Sequence, residues 1–424
     1  MRYRGPALFV GVIVLTLVVN LAMGTPFTVR LLVEAVAYAL IALGLNIQFG
    51  YGGLFNFGIM GFVMIGGFSS VFISYPRNDA FWASDGPMML GKAVLAFAAG
   101  MALVWGARRL ALRGGVRTLT IVVAWIVAYV LYRSQIDPAA AYIEKSVGWV
   151  GGLGFYPVIG WAFGGVLAGI AAYFVGKVAL GLRTDYLAIA TIGIAEIIRA
   201  LIKNMDWLTR GTQTVSPVPW PVPLPQQLQL WGYSINDSFL IGRLSFLALG
   251  AVILIVAFFL VQRAYRGPWG RMMRAIRDNF TAAGSMGKNV KARQIEIFVL
   301  GSVLMGIGGA MLVSFNQILD PSGYQPINHT FLIWVMVIVG GAGNNWGVLV
   351  GTLLIYVIFI VADPIAQFFL LNLSDWTQSM GWGTIPEIES RSLQMRVFVI
   401  GLVIWLTLRF FPRGLLPETV RRDA

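Results

Sequence analysis

The sequence has no cysteine and a single histidine, His329. Disulfides and thiolate metal sites are therefore excluded, and one imidazole cannot build a metal cluster by itself. At the edge of an apolar run, it reads as an interfacial side chain. Charge is scarce as well: charged residues make up 12% of the chain against 58% hydrophobic. A soluble domain cannot bury that much apolar surface, so the fold class is an all-α polytopic membrane protein, with about 10-12 transmembrane helices including glycine-broken segments. Nucleotide motifs are missing too. Gly91-Lys92, Gly176-Lys177 and Gly287-Lys288 each lack the upstream glycine and following hydroxyl of a phosphate-cradling loop. There is no HExxH and no nucleophile elbow. The chain is thus expected to carry no catalytic residue and to bind no cofactor or metal, and any ATP that drives it must be hydrolysed elsewhere.

What is present is a series of apolar runs near the roughly 17 to 25 residues needed to cross about 30 Å of hydrocarbon. They lie at 7–23, 30–49, 53–74, 88–106, 118–134, 156–179, 184–204, 239–262, 297–316, 329–343, 346–370 and 393–410. The runs 118–134 and 329–343 are short and read as either re-entrant or tilted. Between the eighth and ninth lies a polar island, residues 263–296, with eight of the basic residues. Lys and Arg accumulate in cytoplasmic loops. Placing the island inside and counting outward puts the N-terminus with Arg2 and Arg4, the loop 107–117 with Arg108, Arg109, Arg113 and Arg117, and the tail with Arg413, Arg421 and Arg422 on the same side. All three are basic, which supports cytoplasmic termini. The net charge of +13 is then a topology signal and not a nucleic-acid surface. The first run, with Ala22-Met23-Gly24 after it, also fits a cleaved signal peptide; a retained helix fits the parity and is the reading adopted.

The loops 76–87, 135–154, 206–238 and 372–392 fall on the other side. The third contains alternating prolines from Ser216 to Pro225, which hold the chain extended and stiff, either as a cover over helix ends or as part of a docking surface. Within the membrane, residues 44–58 and 339–347 are too rich in glycine and amides for a lipid-facing helix, and irregular backbone survives at that depth only where protein or a water-filled cavity satisfies it. Paired interruptions of this kind mark a transport pathway, so Asn46, Gln48, Asn56, Asn344 and Asn345 are candidate pathway residues. Glycines at such spacing also serve close packing, the role expected of Gly61, Gly66 and Gly67. Glu34, Glu196, Arg199 and Asp363 are the ionisable residues recognised within the runs. Glu196 joins the pathway candidates, although its spacing to Arg199 fits a structural ion pair. Glu34 and Asp363 lie near span ends.

The runs 44–67 (GLNIQFGYGGLFNFGIMGFVMIGG), 185–214, 267–289 (GPWGRMMRAIRDNFTAAGSMGKN), 340–351 (GGAGNNWGVLVG) and 411–417 (FPRGLLP) resemble, in order, the branched-chain amino-acid permease family of binding-protein-dependent ABC importers, the second of its two permease types. The resemblance implies half of a translocation pathway for branched-chain or other amino acids. It implies a homologous second permease, two cytoplasmic ATPase subunits holding ATP and Mg, a periplasmic solute-binding protein, and a bacterial inner membrane location. Urea and short-amide permeases are close relatives; an ion-coupled secondary transporter, working through Glu34 or Glu196, or a passive channel are readings of a different class.

Under the resemblance, the island is the coupling loop. Thr281-Ala282-Ala283 with Gly287 keeps the family's alanines and glycine but has Thr where the pattern has Glu, and Arg271, Arg274 and Arg277 are expected to meet ATPase carboxylates. The bland alternative is a surface helix on anionic lipid. The chain then divides into N-terminal helices (1–74), an inserted hairpin (75–150) longer than the family pattern, central helices with the proline-rich loop (151–262), the coupling loop (263–296), and C-terminal helices with a basic tail (297–424). The hairpin fits either a lipid-facing role or a contact with another subunit.

Overall fold

The computed structural model describes residues 4–110 and 113–418. Arg2, Arg421 and Arg422 lie outside them. The described chain is helical, with isolated bridges and no β-strand. It begins with α1 (Arg4–Met23) and α2 (Thr25–Leu45), and α2 runs into a π-helical turn, Asn46–Tyr51, before an irregular stretch leads to α3 (Ile59–Ser74). Next come α4 (Asp79–Trp82), the long hairpin α5 (Gly86–Arg109) and α6 (Gly114–Ser146), then α7 (Pro157–Ala179) and α8 (Thr184–Lys203). Two short helices, α9 (Asp206–Thr209) and α10 (Pro225–Leu230), precede α11 (Ile235–Arg266). The island folds as α12 (Pro268–Asp278) and α13 (Phe280–Ser285). The last part is α14 (Val290–Asn316), a π-helical turn Ile327–Phe331 continuous with α15 (Leu332–Gly340), α16 (Asn345–Ser379) and α17 (Ile388–Phe410).

Each of the twelve apolar runs corresponds to a helix. Nine described helices are long and apolar enough to cross a membrane, and Ile59–Ser74 and Ile327–Gly340 are shorter apolar ones. The twelfth, α8, falls outside both groups because Asp185, Glu196, Arg199 and Lys203 interrupt it. Two boundaries differ from expectation. The run at 118–134 belongs to a continuous 33-residue helix, long enough to span untilted. The run at 53–74 becomes helical only at Ile59, because Gly52 and Gly53 release the chain from the helix before it.

The centre of the bundle is α14, which packs against α2, α3 and α7, with α3 also against α7, while α1, α5, α6, α11 and α17 turn large apolar residues outward as lipid requires. Glycine makes the centre possible. A Cβ at Gly66 of α3 would run into the carbonyl of Gly306 on α14, and one at Gly306 would lie 2.6 Å from the carbonyl oxygen of Gly164 on α7. Three backbones thus meet at a single level, as small residues allow in a membrane. The hairpin stands apart. Gly100 of α5 faces Ala128 of α6, and Val104, Ala107, Ala124 and Ala128 form a separate small cluster. Phe81, Ile143 and Val150 tie its far end to Trp207 and Leu208.

Replacing Gly306 by Leu forces backbones apart rather than bending a flexible side chain. We expect a loss of at least about 3 kcal/mol, the upper part of the usual overpacking range, read as a lower thermal midpoint in detergent. Gly401→Ala, on the outward side of α17 with nothing within 4 Å, should leave the midpoint unchanged or slightly raised.

Candidate functional site

The two glycine-broken segments touch. Asn46 Nδ2 donates to Asn345 Oδ1 at 2.9 Å, and the backbone N–H of Gly343 donates to Asn46 Oδ1 at 2.8 Å. From this joint, the bonding continues along the first segment. Gln48 Nε2 donates to the Phe298 carbonyl at 2.8 Å and to Ser302 Oγ at 3.1 Å; its Oε1 accepts from Asn56 Nδ2 at 2.8 Å. Asn56 Oδ1 in turn accepts from the Gly58 N–H at 2.8 Å, and its carbonyl accepts from Trp334 Nε1 at 3.0 Å. Asn46, Gln48 and Asn56 are fully buried. Their side chains therefore serve as internal partners for irregular backbone, and none of the three lies open to a solute in this arrangement. Asn344 caps α16 through Trp346 and Gly347 and donates to the carbonyls of Leu416 and Pro417 at 3.2 and 3.3 Å.

The island is fastened to the same place. On α12, Gly270, Met273 and Ile276 are buried, so the helix lies against the bundle with Arg274 and Arg277 turned partly inward and Arg271 outward. Arg277 Nη1 donates to the Gly50 carbonyl at 2.6 Å and pairs with Glu418 at 2.9 Å. Burial works against its charge, but Glu418 and Asp278 outweigh burial and raise its pKa, keeping the guanidinium charged. Glu418 also accepts from the Tyr265 hydroxyl. The Tyr265 ring stacks on Tyr51 at 3.5 Å, and the Arg274 guanidinium lies 4.8 Å from the Tyr265 centroid. Tail residues complete the clasp: the N–H groups of Leu415 and Leu416 donate to the carbonyls of Val339 and Gly340 at 2.8 and 2.9 Å.

The rest of the island points away. The side chain of Asn279 caps α13 by accepting from the Ala282 N–H at 2.9 Å, and so divides the island into two helices. Ala283 is buried and Ala282 exposed. Gly287, at φ 76, takes the left-handed conformation that ends a helix. Phe280 and Met286 are 67% and 80% exposed, and sequence reasoning passed over both; two large apolar side chains on a polar tip are the signal that could have found them.

Residues 27–141 and 138–408 match the family described as "Branched-chain amino acid transport system / permease component". The chain belongs to this family. It is 28% identical over 217 residues to the "High-affinity branched-chain amino acid transport system permease protein LivM" of Escherichia coli (strain K12), covering 49% of this chain and 50% of that one. The "Probable branched-chain amino acid transport permease protein LivM" of Methanocaldococcus jannaschii is 22% identical over 262 residues, 60% of this chain and 67% of the relative. The chain thus spans about half the length of the first of these relatives. Both are named as transport permeases rather than enzymes. No solved structure matches.

Within this chain, the acidic residues singled out in the apolar runs are paired. Glu196 and Arg199 meet at 3.0 Å on α8, each side chain partly exposed, and Arg199 also donates to the Tyr324 carbonyl at 2.9 Å. Glu34 is buried, accepts from the Tyr356 hydroxyl and pairs with Arg30 at 3.4 Å. Asp363 pairs at 2.7 Å with Arg396, a residue within an apolar run that the sequence reading did not single out. His329 packs on Tyr324 with ring centroids 4.8 Å apart. Aromatic side chains surround the first break: Trp334 lies 4.6 Å from both Phe49 and Phe57, and Phe57 lies 5.9 Å from Phe331.

Two measurements probe this site. Asn56→Leu strands Gln48 Oε1 and the Gly58 N–H, at about 1–3 kcal/mol for each buried group left unpaired; the thermal midpoint should fall, and adding Gln48→Leu should cost less than the sum of the single changes. Glu418→Gln weakens the hold on Arg277. Hydrogen exchange across residues 268–278 should then accelerate.

Proposed function

We propose that this chain is one half of a membrane permease that imports branched-chain amino acids, completed by a homologous permease and driven through the island by two cytoplasmic ATPase subunits. The observation that carries this reading is the outward face of α8. Ala195 lies against Gly61 of α3, about 20 Å below the Ser74 end of that helix at 1.5 Å per residue, so the neighbouring Glu196–Arg199 pair sits well inside the apolar layer. A partly exposed ion pair at that depth is expensive against lipid and belongs on a protein or water-lined surface. The half-buried aromatic residues Phe49, Phe55 and Phe57 gather around Trp334, and the Phe57 N–H donates to Thr191 of the same helix α8 at 3.0 Å, giving an apolar wall suited to aliphatic side chains. A second permease facing α8 would cover the pair and close a pathway between the two chains.

The other elements take their roles from this arrangement. The island, cytoplasmic by charge, offers Phe280, Met286 and Arg271 to an ATPase surface while Arg277 holds α12 to the break at Gly50. ATP and Mg reside on those partners. A periplasmic solute-binding protein delivers the amino acid to the opposite end of the bundle, in a bacterial inner membrane with both termini inside.

Reconstitution with the partner subunits in sealed vesicles tests the reading. Leucine uptake should require ATP. Uptake that persists without ATP and collapses with an ion gradient would identify a secondary transporter, and downhill flux through the isolated chain would identify a channel. Phe280→Asp and Met286→Asp should each reduce substrate-stimulated ATP hydrolysis at least tenfold, with insertion and thermal midpoint unchanged; unaltered hydrolysis in both would remove the island from the coupling role.

A further inference from the structure

The loops 76–87, 135–154 and 206–238, placed together on one side by charge parity, meet in the structure around a cavity of about 640 Å³. Its walls are joined by backbone. Asn78 Nδ2 donates to the Trp149 carbonyl at 2.7 Å, the Val150 N–H donates to the Trp207 carbonyl at 2.9 Å, and Arg77 bridges to Gly151 and Gly152. Arg77, Arg210, Glu144 and Asp206 line it. Among the described residues, these four make no ion pair with one another or with any other group. The cations are instead positioned on aromatic faces: Arg77 lies 5.0 Å from the Trp82 centroid and Arg210 5.9 Å from that of Trp149, within cation–π range.

The turn that carries two of the charges is specialised. Arg210 has φ 68, a left-handed conformation that residues with a side chain rarely adopt. Gly211 follows at φ 61, and a Cβ there would overlap the Asp206 carboxylate. The backbone is thus bent so that Asp206 and Arg210 share one rim, with Arg77 and Glu144 supplied by the two ends of the inserted segment.

We propose that this cavity binds a free zwitterionic amino acid on its way to the membrane pathway, with Arg77 and Arg210 receiving the carboxylate and Glu144 and Asp206 the ammonium group. The assignment of solute class and of the outward side rests on the transport reading above. The charge pattern selects the zwitterion: two carboxylates repel a simple anion, two guanidiniums repel a simple cation, and a neutral solute would leave all four unused. The volume lies within the ordinary range of small-molecule sites and leaves room for water around an amino acid.

The test uses the full chain alone in nanodiscs of neutral lipid. Leucine, isoleucine and valine are titrated calorimetrically, beside leucinamide, which lacks the carboxylate, and N-acetylleucine, which lacks the ammonium. Saturable binding of the amino acids is expected, with both analogues at least tenfold weaker, and with Arg77→Gln and Glu144→Gln each weakening leucine at least tenfold at an unchanged thermal midpoint. Absence of binding to the intact chain, equal binding of the analogues, or unaltered binding by both variants would overturn the proposal. ATP-driven leucine uptake by the reconstituted complex keeps the two readings separate. Uptake without cavity binding removes the cavity and keeps the permease, whereas cavity binding without ATP-driven uptake does the reverse.

Discussion

An amide or carbonyl without a partner in hydrocarbon costs several kcal/mol, and this chain leaves regular α-helix within its bundle at 46–58 and at 341–344. The two interruptions satisfy each other through Asn46, Asn345 and Gly343. The rest of the centre is arranged around that exchange. Gly44 of α2 and Gly301 of α14 bring the backbones near enough for Gln48 to reach the Phe298 carbonyl, and the tail returns to bond Val339 and Gly340. Each interruption thus supplies polar partners that the other needs.

The same requirement explains where the polar island sits. The Gly50 carbonyl has Arg277 as its partner, and Arg277 needs Glu418 to offset its burial. A surface helix, a tail residue and a broken membrane helix are thereby coupled through one guanidinium. The arginines of α12 are consequently unequal. Arg277 is committed inward, Arg274 covers Tyr265, and Arg271 remains on the open side with the tip residues Phe280 and Met286.

Much of this was legible before any coordinates. Glycines and amides stand out against apolar runs because few reasons exist to place them there, and each of the twelve runs became a helix. The partners were not legible. Asn46 and Asn345 are 299 residues apart, and nothing local links them. Arg277 and Arg271 look alike in sequence, since only the register of α12, set by Gly270, Met273 and Ile276, decides which turns inward. Glu418 was hidden in a tail read only for its positive charge. Arg396 was hidden inside a run counted as apolar, where a single arginine hardly changes a windowed average.

A closed and satisfied joint also constrains how a permease could move. Opening a route beside α3 and α8 means shifting the first break, and any shift there pulls Gly50 away from Arg277. A hydrogen bond to a charged group contributes about 1.5–3 kcal/mol, and the guanidinium would be left beside Glu418 with one acceptor fewer. A protein that grips the outer side of α12 and α13 can supply replacement acceptors as the helix moves. Under the proposed coupling role, the energy of nucleotide binding on such a partner would enter at the island and be delivered to the break through Arg277, without any element between them having to unfold.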